Sequence, residues 1–312
     1  MKTSVKSLPA AEFLNRKPRQ PDRQLAELEA QIAELEARVD AALDCCEPGP
    51  MDGPGEAASK TPPPKPASIT IWGVPFSYLT LGDTLRQVDR LIEWGRPTYF
   101  ITANLNYNML TERHPELRLV NDNAAFIVCD GIPMVWYSRW LGKPLPERVA
   151  GSELIYALTK WASRKGHRIY FLGGAPGVAQ SAADRLSQRY PGLQVAGVEA
   201  PPFRPLSAAE EGDLIARIRE AKPDIVYVAL GQPKGELWIA RNCERIGAPL
   251  CVQLGASFDF VAGGVARAPR WLQRAGLEWF HRMCQEPQRL TGRYCRNGLF
   301  LLRSLLRQTT AW

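Results

Sequence analysis

The sequence predicts an α/β protein built on a mainly parallel sheet with helices on both faces. Three observations carry that prediction. Between Ile69 and Gly264, short runs rich in β-branched and aromatic residues alternate with amphipathic helical runs. Several of the β-rich runs end in Gly, Asp or Thr-x-Asn, where the chain turns towards a helix. The composition, 45% hydrophobic and 23% charged over 312 residues, is that of a globular chain long enough for one large domain or two ordinary ones.

In chain order, strands are expected at Ile69–Trp72, Thr98–Thr102, Ala125–Cys129, Arg168–Leu172, Gln194–Val198, Asp224–Leu230 and Leu250–Leu254. Helices are expected between most of them, at Thr84–Trp94, Ser152–Lys165, Val178–Tyr190, Ala208–Ala221 and Gly235–Ile246. In such sheets ligands bind outside the carboxyl ends of the strands, so the turns that follow the strands are where chemistry is sought. Residues 68–264 thus form the core.

The two flanks differ from it. In the extension 1–67, Leu25, Leu28, Ile32, Leu35, Val39 and Ala42 alternate three and four residues apart on a helix that begins near Asp22. From Cys45 to Ser68, seven prolines and three glycines in 24 residues read as an extended linker. Two readings of the seam stand: a solvated helix tethered by that linker, and a coiled coil through residues 22–43 that joins copies of the chain. In the appendage 265–312, Pro269 and Pro287 divide the segment into short helices. From Gly264 onward there are nine arginines, no lysine and two glutamates, which account for the whole net charge of +7. A positive tail points to phosphates, and the interleaved Leu299, Phe300, Leu301, Leu302, Leu305 and Leu306 suit a helix lying in an anionic membrane surface. An ordinary helix packing its stripe on the domain is the alternative, and the apolar interleaving reads against nucleic acid.

Other classes are excluded by what the chain lacks. No apolar run approaches the roughly 18 residues of a membrane span. The first residues, Met1-Lys-Thr-Ser-Val-Lys, do not lead into a secretory signal. Seven cysteines with one adjacent pair, Cys45-Cys46, and no Cys-x-x-Cys indicate free thiols in a reducing cytoplasm. There is no Asp-x-Asp, no Gly-x-x-x-x-Gly-Lys-Ser/Thr, no Gly-x-Ser-x-Gly and no His-Glu-x-x-His, and the three histidines are scattered, so no metal site is expected.

The turns supply candidates. Thr102 and Asn104 end one strand and Asp130 follows the next; if those strands are neighbours, the three meet in one crevice. Asp130 then either caps a helix or accepts a proton from a hydroxyl. Phe171-Leu-Gly173-Gly174 is a tight turn or a phosphate cradle, and lacks the Gly-x-Gly-x-x-Gly of a dinucleotide fold. Lys234 is a phosphate ligand or a solvent-facing charge, Arg148 near a helix start is a further candidate phosphate ligand, and Asp259 is a ribose acceptor or a helix cap.

Taken in order, Thr102-x-Asn104, Asp130-Gly131, Arg148-Val-x-Gly151, Phe171-Leu-Gly-Gly174, Gly231-x-Pro-Lys234-x-Glu236, Phe258-Asp-Phe260, Arg267-x-Pro269 and Leu277-Glu-Trp279 with Gln285-Glu-Pro-x-Arg289 resemble the WecG/TagA/CpsF glycosyltransferases from Ile69 to Leu306. The resemblance implies a Rossmann-like core and an inverting transferase that needs no metal and no cofactor. It would move a sugar of the N-acetylmannosamine or hexose type from a UDP-sugar to a polyprenyl-diphosphate-linked saccharide. That places it peripherally at the cytoplasmic face of a bacterial inner membrane, in cell-surface polysaccharide synthesis. It implies Asp130 as general base, with Thr102, Asn104 and Arg148 around acceptor and diphosphate. Gly173, Gly174, Gly231, Lys234, Glu236 and Asp259 would contact the nucleotide-sugar, and Arg282, Arg289 and Arg293 its phosphates. One departure stands out: where the family writes Gly-x-Pro-Lys-Gln-Glu, this chain has Gly235, without the amide. A UDP-binding scaffold with an impaired site and a nucleotide-dependent oxidoreductase remain the competing readings.

Overall fold

The computed structural model describes residues 20–44, 61–264, 268–269, 272 and 276–309. Cys45-Cys46, most of the proline-rich linker, Arg267, Arg270, Trp271 and Arg274 lie outside the described residues.

Residues Ser68–Ile71 (β1) and Val74–Ser77 (β2) pair antiparallel as a hairpin apart from the main sheet. Ile69–Trp72 is therefore not a strand of the parallel sheet. The reason is the Trp72-Gly73 turn: both residues have positive φ (46° and 81°), the geometry of a two-residue hairpin loop. Six strands form the parallel sheet: β3 (Thr98–Ala103), β4 (Ile127–Cys129), β5 (Arg168–Gly173), β6 (Gln194–Glu199), β7 (Ile225–Ala229) and β8 (Leu250–Gln253). Their order is β4-β3-β8-β7-β5-β6.

Alternation along the strands feeds two cores. Phe100, Ile169, Phe171, Tyr227, Leu250 and Val252 face one side, with α2 (Leu81–Trp94), α6 (Gly151–Lys165), α7 (Val178–Arg189) and the short α10 (Ser257–Val261). Tyr99, Ile101, Tyr170, Leu172, Val226 and Cys251 face the other. That side is covered by α3 (Leu105–Arg113), α4 (Glu116–Asn123), α5 (Ile132–Trp140), α8 (Ala208–Glu220), α9 (Lys234–Ile246) and the hairpin.

The N-terminal helix α1 (Gln20–Asp44) begins close to where the heptads place it, but its seam meets neither expectation. Ile32, Leu35 and Val39 are buried in the first core, where α1 packs on α6 and α2. The flanking polar residues match this docking. Glu36 accepts from Arg189 Nε and Tyr190 Oη, each at 2.7 Å, and Asp40 pairs with Lys160 and Arg164, each at 2.7 Å. The stripe that would join two chains is thus occupied within one, because α6 is apolar nearly all round and its outer flank would otherwise meet water.

In the appendage, α11 (Glu278–Gln285) and α12 (Pro287–Thr309) break at Glu286, and Pro287 opens the second helix, where its missing N–H costs nothing. Helix α12 turns Leu290, Asn297, Phe300 and Ser304 inward, packs on α3, and leaves Leu299, Leu302, Leu305 and Leu306 exposed. Its one stripe packs on the domain as an ordinary helix does, while the leucine row faces outward. The Trp72 indole sits between Tyr137 of α5 and Phe300 of α12, with ring centroids at 4.7 and 5.8 Å. Among the described residues no helix is long and apolar enough to cross a membrane.

Because α1 is part of the first core, Leu35→Ala should lower stability by about 2 kcal/mol, the low end for a buried leucine. Urea denaturation would show it as a shifted midpoint with an unchanged slope; an unchanged midpoint would mean the helix is only tethered.

Candidate active site

A cleft of about 1420 Å³ opens at the carboxyl edge of the sheet, where the turns after β3, β4, β5, β7 and β8 converge with α11 and α12. The parallel pairing of β3 with β4 puts Thr102, Asn104 and Asp130 side by side, as their sequence positions require if the strands are neighbours. The Asp130 N–H donates to the Ala103 carbonyl at 2.8 Å, extending the ladder one residue beyond the strand. Asn104 caps α3, its Oδ1 accepting from the Tyr107 N–H at 3.1 Å, so its amide NH2 is left for the cleft. Thr102 Oγ1 donates to the Gln253 carbonyl at 3.1 Å.

Asp130 lies half-buried at the cleft wall, against the start of α6. A β-carbon on Gly151 would stand 3.5 Å from Asp130 Oδ2, 3.5 Å from Ser257 Oγ and 3.7 Å from Thr102 Oγ1, so three polar groups close around one glycine. Burial pushes the Asp130 carboxyl up to about 7, against the pull of the Arg148 guanidinium and the Gly151 N–H; Glu278 and Glu153 add to the upward push. A carboxyl held there exchanges a proton at neutral pH, which an ordinary surface aspartate does not.

Arg148 reaches the cleft but is held by carboxylates, donating to Glu278 at 3.1 Å and standing 3.8 Å from Glu153. Since Glu278 opens α11, this contact ties the appendage to the wall that carries Asp130. The far wall is cationic. Arg282 lies over the Phe260 ring at 4.8 Å, and Glu286 pairs with Arg282 at 3.8 Å and with Arg289 at 2.6 Å. Arg293 has no carboxylate partner among the described residues. Partial desolvation, with the neighbouring Arg289, Arg282 and Arg296 adding, pushes its guanidinium below the ordinary value. Asp259 faces the same wall; burial raises its carboxyl, and Arg282 and Arg289 pull it back.

The helices that start at the cleft add to the positive field. α5, α7 and α9 have no side-chain cap at their first turns, so their positive ends are not offset by a capping side chain, although the Val178 N–H is taken by the Ala175 carbonyl and the Gly235 N–H by the Gly231 carbonyl. Gly174, Gly231 and Lys234 line the cleft with them. Two expected contacts are elsewhere. Gly173, at φ +105°, is pressed on β7, where a β-carbon would come within 2.7 Å of the Ala229 carbonyl, and it serves strand packing. Glu236 is only 1% exposed, and its carboxyl lies behind the cleft wall, raised by burial to about 7. Residues that sequence reasoning passed over also line the cleft: Asn106, Gln232, Gln253, Glu278 and Asn297. Glu278, inside the Leu-Glu-Trp run, and Gln232, inside the Gly-x-Pro-Lys run, had a signal to find them by.

A carboxyl pushed up to about 7 by burial thus shares one cleft with three arginines and the starts of several helices, a combination typical of functional sites. Residues 69–311 match the glycosyl transferase WecG/TagA/CpsF family, and the chain belongs to that family. It is a glycosyltransferase. Among similar proteins are three named N-acetylglucosaminyldiphosphoundecaprenol N-acetyl-β-D-mannosaminyltransferase. That of Bacillus spizizenii is 32% identical over 198 residues, covering 64% of this chain and 75% of its own length. That of Bacillus subtilis is 34% identical over 171 residues, covering 54% and 64%. One from Staphylococcus aureus is 28% identical over 227 residues, covering 72% and 87%.

The Arg148–Glu278 pair gives a direct test of how α11 is held. Arg148→Met should leave the core folded but speed amide exchange across Glu278–Gln285, because the tie to the core is removed. Exchange at the wild-type rate would show that α11 is held by its apolar contacts alone.

Proposed function

We propose that the chain transfers an N-acetylhexosamine or hexose, with inversion, from a UDP-sugar to a polyprenyl-diphosphate-linked saccharide. The observation that carries this reading is the meeting, in one cleft, of the Asp130 carboxyl and the guanidinium groups of Arg282, Arg289 and Arg293. Deprotonated Asp130 accepts the proton of the acceptor hydroxyl as its oxygen attacks the anomeric carbon. The bond from that carbon to the β-phosphate oxygen breaks, and UDP leaves with the electron pair. Thr102 and Asn104 orient the acceptor. The growing charge on the leaving diphosphate falls to the arginines and to the positive ends of α7 and α9, so the chemistry asks for no divalent ion.

The relatives' names describe an acceptor carried on undecaprenol, and the outer face of α12 suits a lipid-borne substrate. Its exposed leucines alternate with Arg296 and Arg303, a pattern that buries apolar groups at the acyl boundary and meets lipid phosphates with guanidinium groups. This reading sets the enzyme peripherally on the cytoplasmic face of a bacterial inner membrane, in the synthesis of a surface polysaccharide.

With Asp130 as base, turnover should rise with pH through a midpoint near 7 and level off above it, since only the deprotonated carboxylate accepts a proton. Asp130→Asn should cost about 10²–10⁴ in turnover while UDP binding is kept. Wild-type-like turnover in that variant would remove Asp130 from the mechanism.

The arginines are expected to serve the reaction more than the anchorage. Arg289→Ala should reduce turnover well beyond its effect on liposome binding, where one arginine contributes about 1 kcal/mol. Equal losses in both assays would make the appendage an anchor only. In the same assay EDTA should leave turnover unchanged; loss restored by magnesium or manganese would assign the leaving-group charge to a metal instead.

A further inference from the structure

At Gly235 the chain lacks the amide that the resembling motif carries, and the structure shows what fills the space. A β-carbon at 235 would stand 2.5 Å from Cδ, Nε2 and Oε1 of Gln253, so the carboxamide of Gln253 lies directly on the glycine. Gln253 is the last residue of β8 and is 2% exposed. In the orientation that satisfies both of its ends, Nε2 donates to the Val228 carbonyl at 2.6 Å and Oε1 accepts from the Gly231 N–H at 3.2 Å. Gly231, at φ +76°, is fixed from its other side too, its carbonyl accepting the Gly235 N–H at 2.8 Å. The next residue, Gln232, accepts from Asn106 Nδ2 at 3.1 Å. The main chain of Gln253 holds the other half of the cleft, because its carbonyl takes the Thr102 hydroxyl.

We propose that Gln253 is a positioning residue for the Gly231–Lys234 turn, and that Gly235 is glycine in this chain because the Gln253 amide occupies the place of its side chain. One buried amide thus sets both the turn that presents Lys234 and the first turn of α9 to the nucleotide-sugar, and by its main chain the Thr102 hydroxyl. The two positions exclude each other: a side chain at 235 evicts the Gln253 amide and releases the Gly231 N–H. An amide supplied from 235 itself, with no side chain at 253, would restore the arrangement. The missing amide of the motif is therefore relocated from α9 to β8, which removes the ground for reading Gly235 as a mark of an impaired site.

This inference rests on the turn serving nucleotide binding, as proposed above, and UDP is the probe that separates the two. Calorimetry on the full chain should give Gln253→Met, which keeps the volume and loses both hydrogen bonds, a UDP affinity about tenfold weaker. Its melting temperature should stay close to that of the wild type. Gly235→Gln should weaken UDP binding at least as much, and Gly235→Gln/Gln253→Gly should return to within about threefold of wild type. Wild-type UDP affinity in Gln253→Met, or a double variant no better than Gly235→Gln, would overturn the positioning role while leaving the nucleotide reading intact. Absence of UDP binding by the wild-type chain would overturn both.

Discussion

The hydrogen bond from the Asp130 N–H to the Ala103 carbonyl is the contact on which the site depends. It carries the β3–β4 register one residue past the strand, so a carboxyl that would otherwise belong to a loop is held as rigidly as the sheet. Everything else is placed relative to it. Thr102 lies one pleat away, Gly151 brings the start of α6 against the carboxyl, and Arg148 follows from the segment that leads into α6. A parallel ladder gives this rigidity because both strands end on the same edge, each handing its next residue to the same opening.

Much of this was legible in the sequence, for identifiable reasons. The strands Thr98–Thr102, Arg168–Leu172 and Leu250–Leu254 are buried on both faces over nearly all their length, so their apolar runs stand out from the helices between them, while the partly exposed edge strand Gln194–Val198 is marked by its β-branched residues. The helices that were read, such as Thr84–Trp94 and Gly235–Ile246, each bury one face and expose the other. α3, α4 and α5 were not. In Ile132–Trp140, Met134, Val135 and Tyr137 are buried while Trp136 and Trp140 are exposed, so apolar residues lie all round the helix and leave no stripe. β2 was missed because Pro75 interrupts it, which an edge strand of a two-stranded hairpin tolerates.

The docking of α1 and the Gln253 amide were hidden for a deeper reason. A heptad seam says that a partner exists, not whether it is another chain or the flank of α6. Likewise Gly235 reads as an amide lost, and only the proximity of β8 to the start of α9 reveals that a residue 18 positions later fills the gap. Pattern along a chain reports what a residue needs; which neighbour meets the need is a property of the folded topology.

Glu286 has a consequence for what the cleft accepts. Its carboxylate sits between Arg282 and Arg289, so the site holds a tethered competitor for the charge an incoming ligand would claim. A single weak anion gains nothing by displacing it, since one ionic contact is exchanged for another and the newcomer also loses its freedom. On the proposed function, a diphosphate brings enough charge to engage these two arginines and Arg293 together. On that reading, discrimination against the abundant small anions of a cell follows as a threshold on ligand charge.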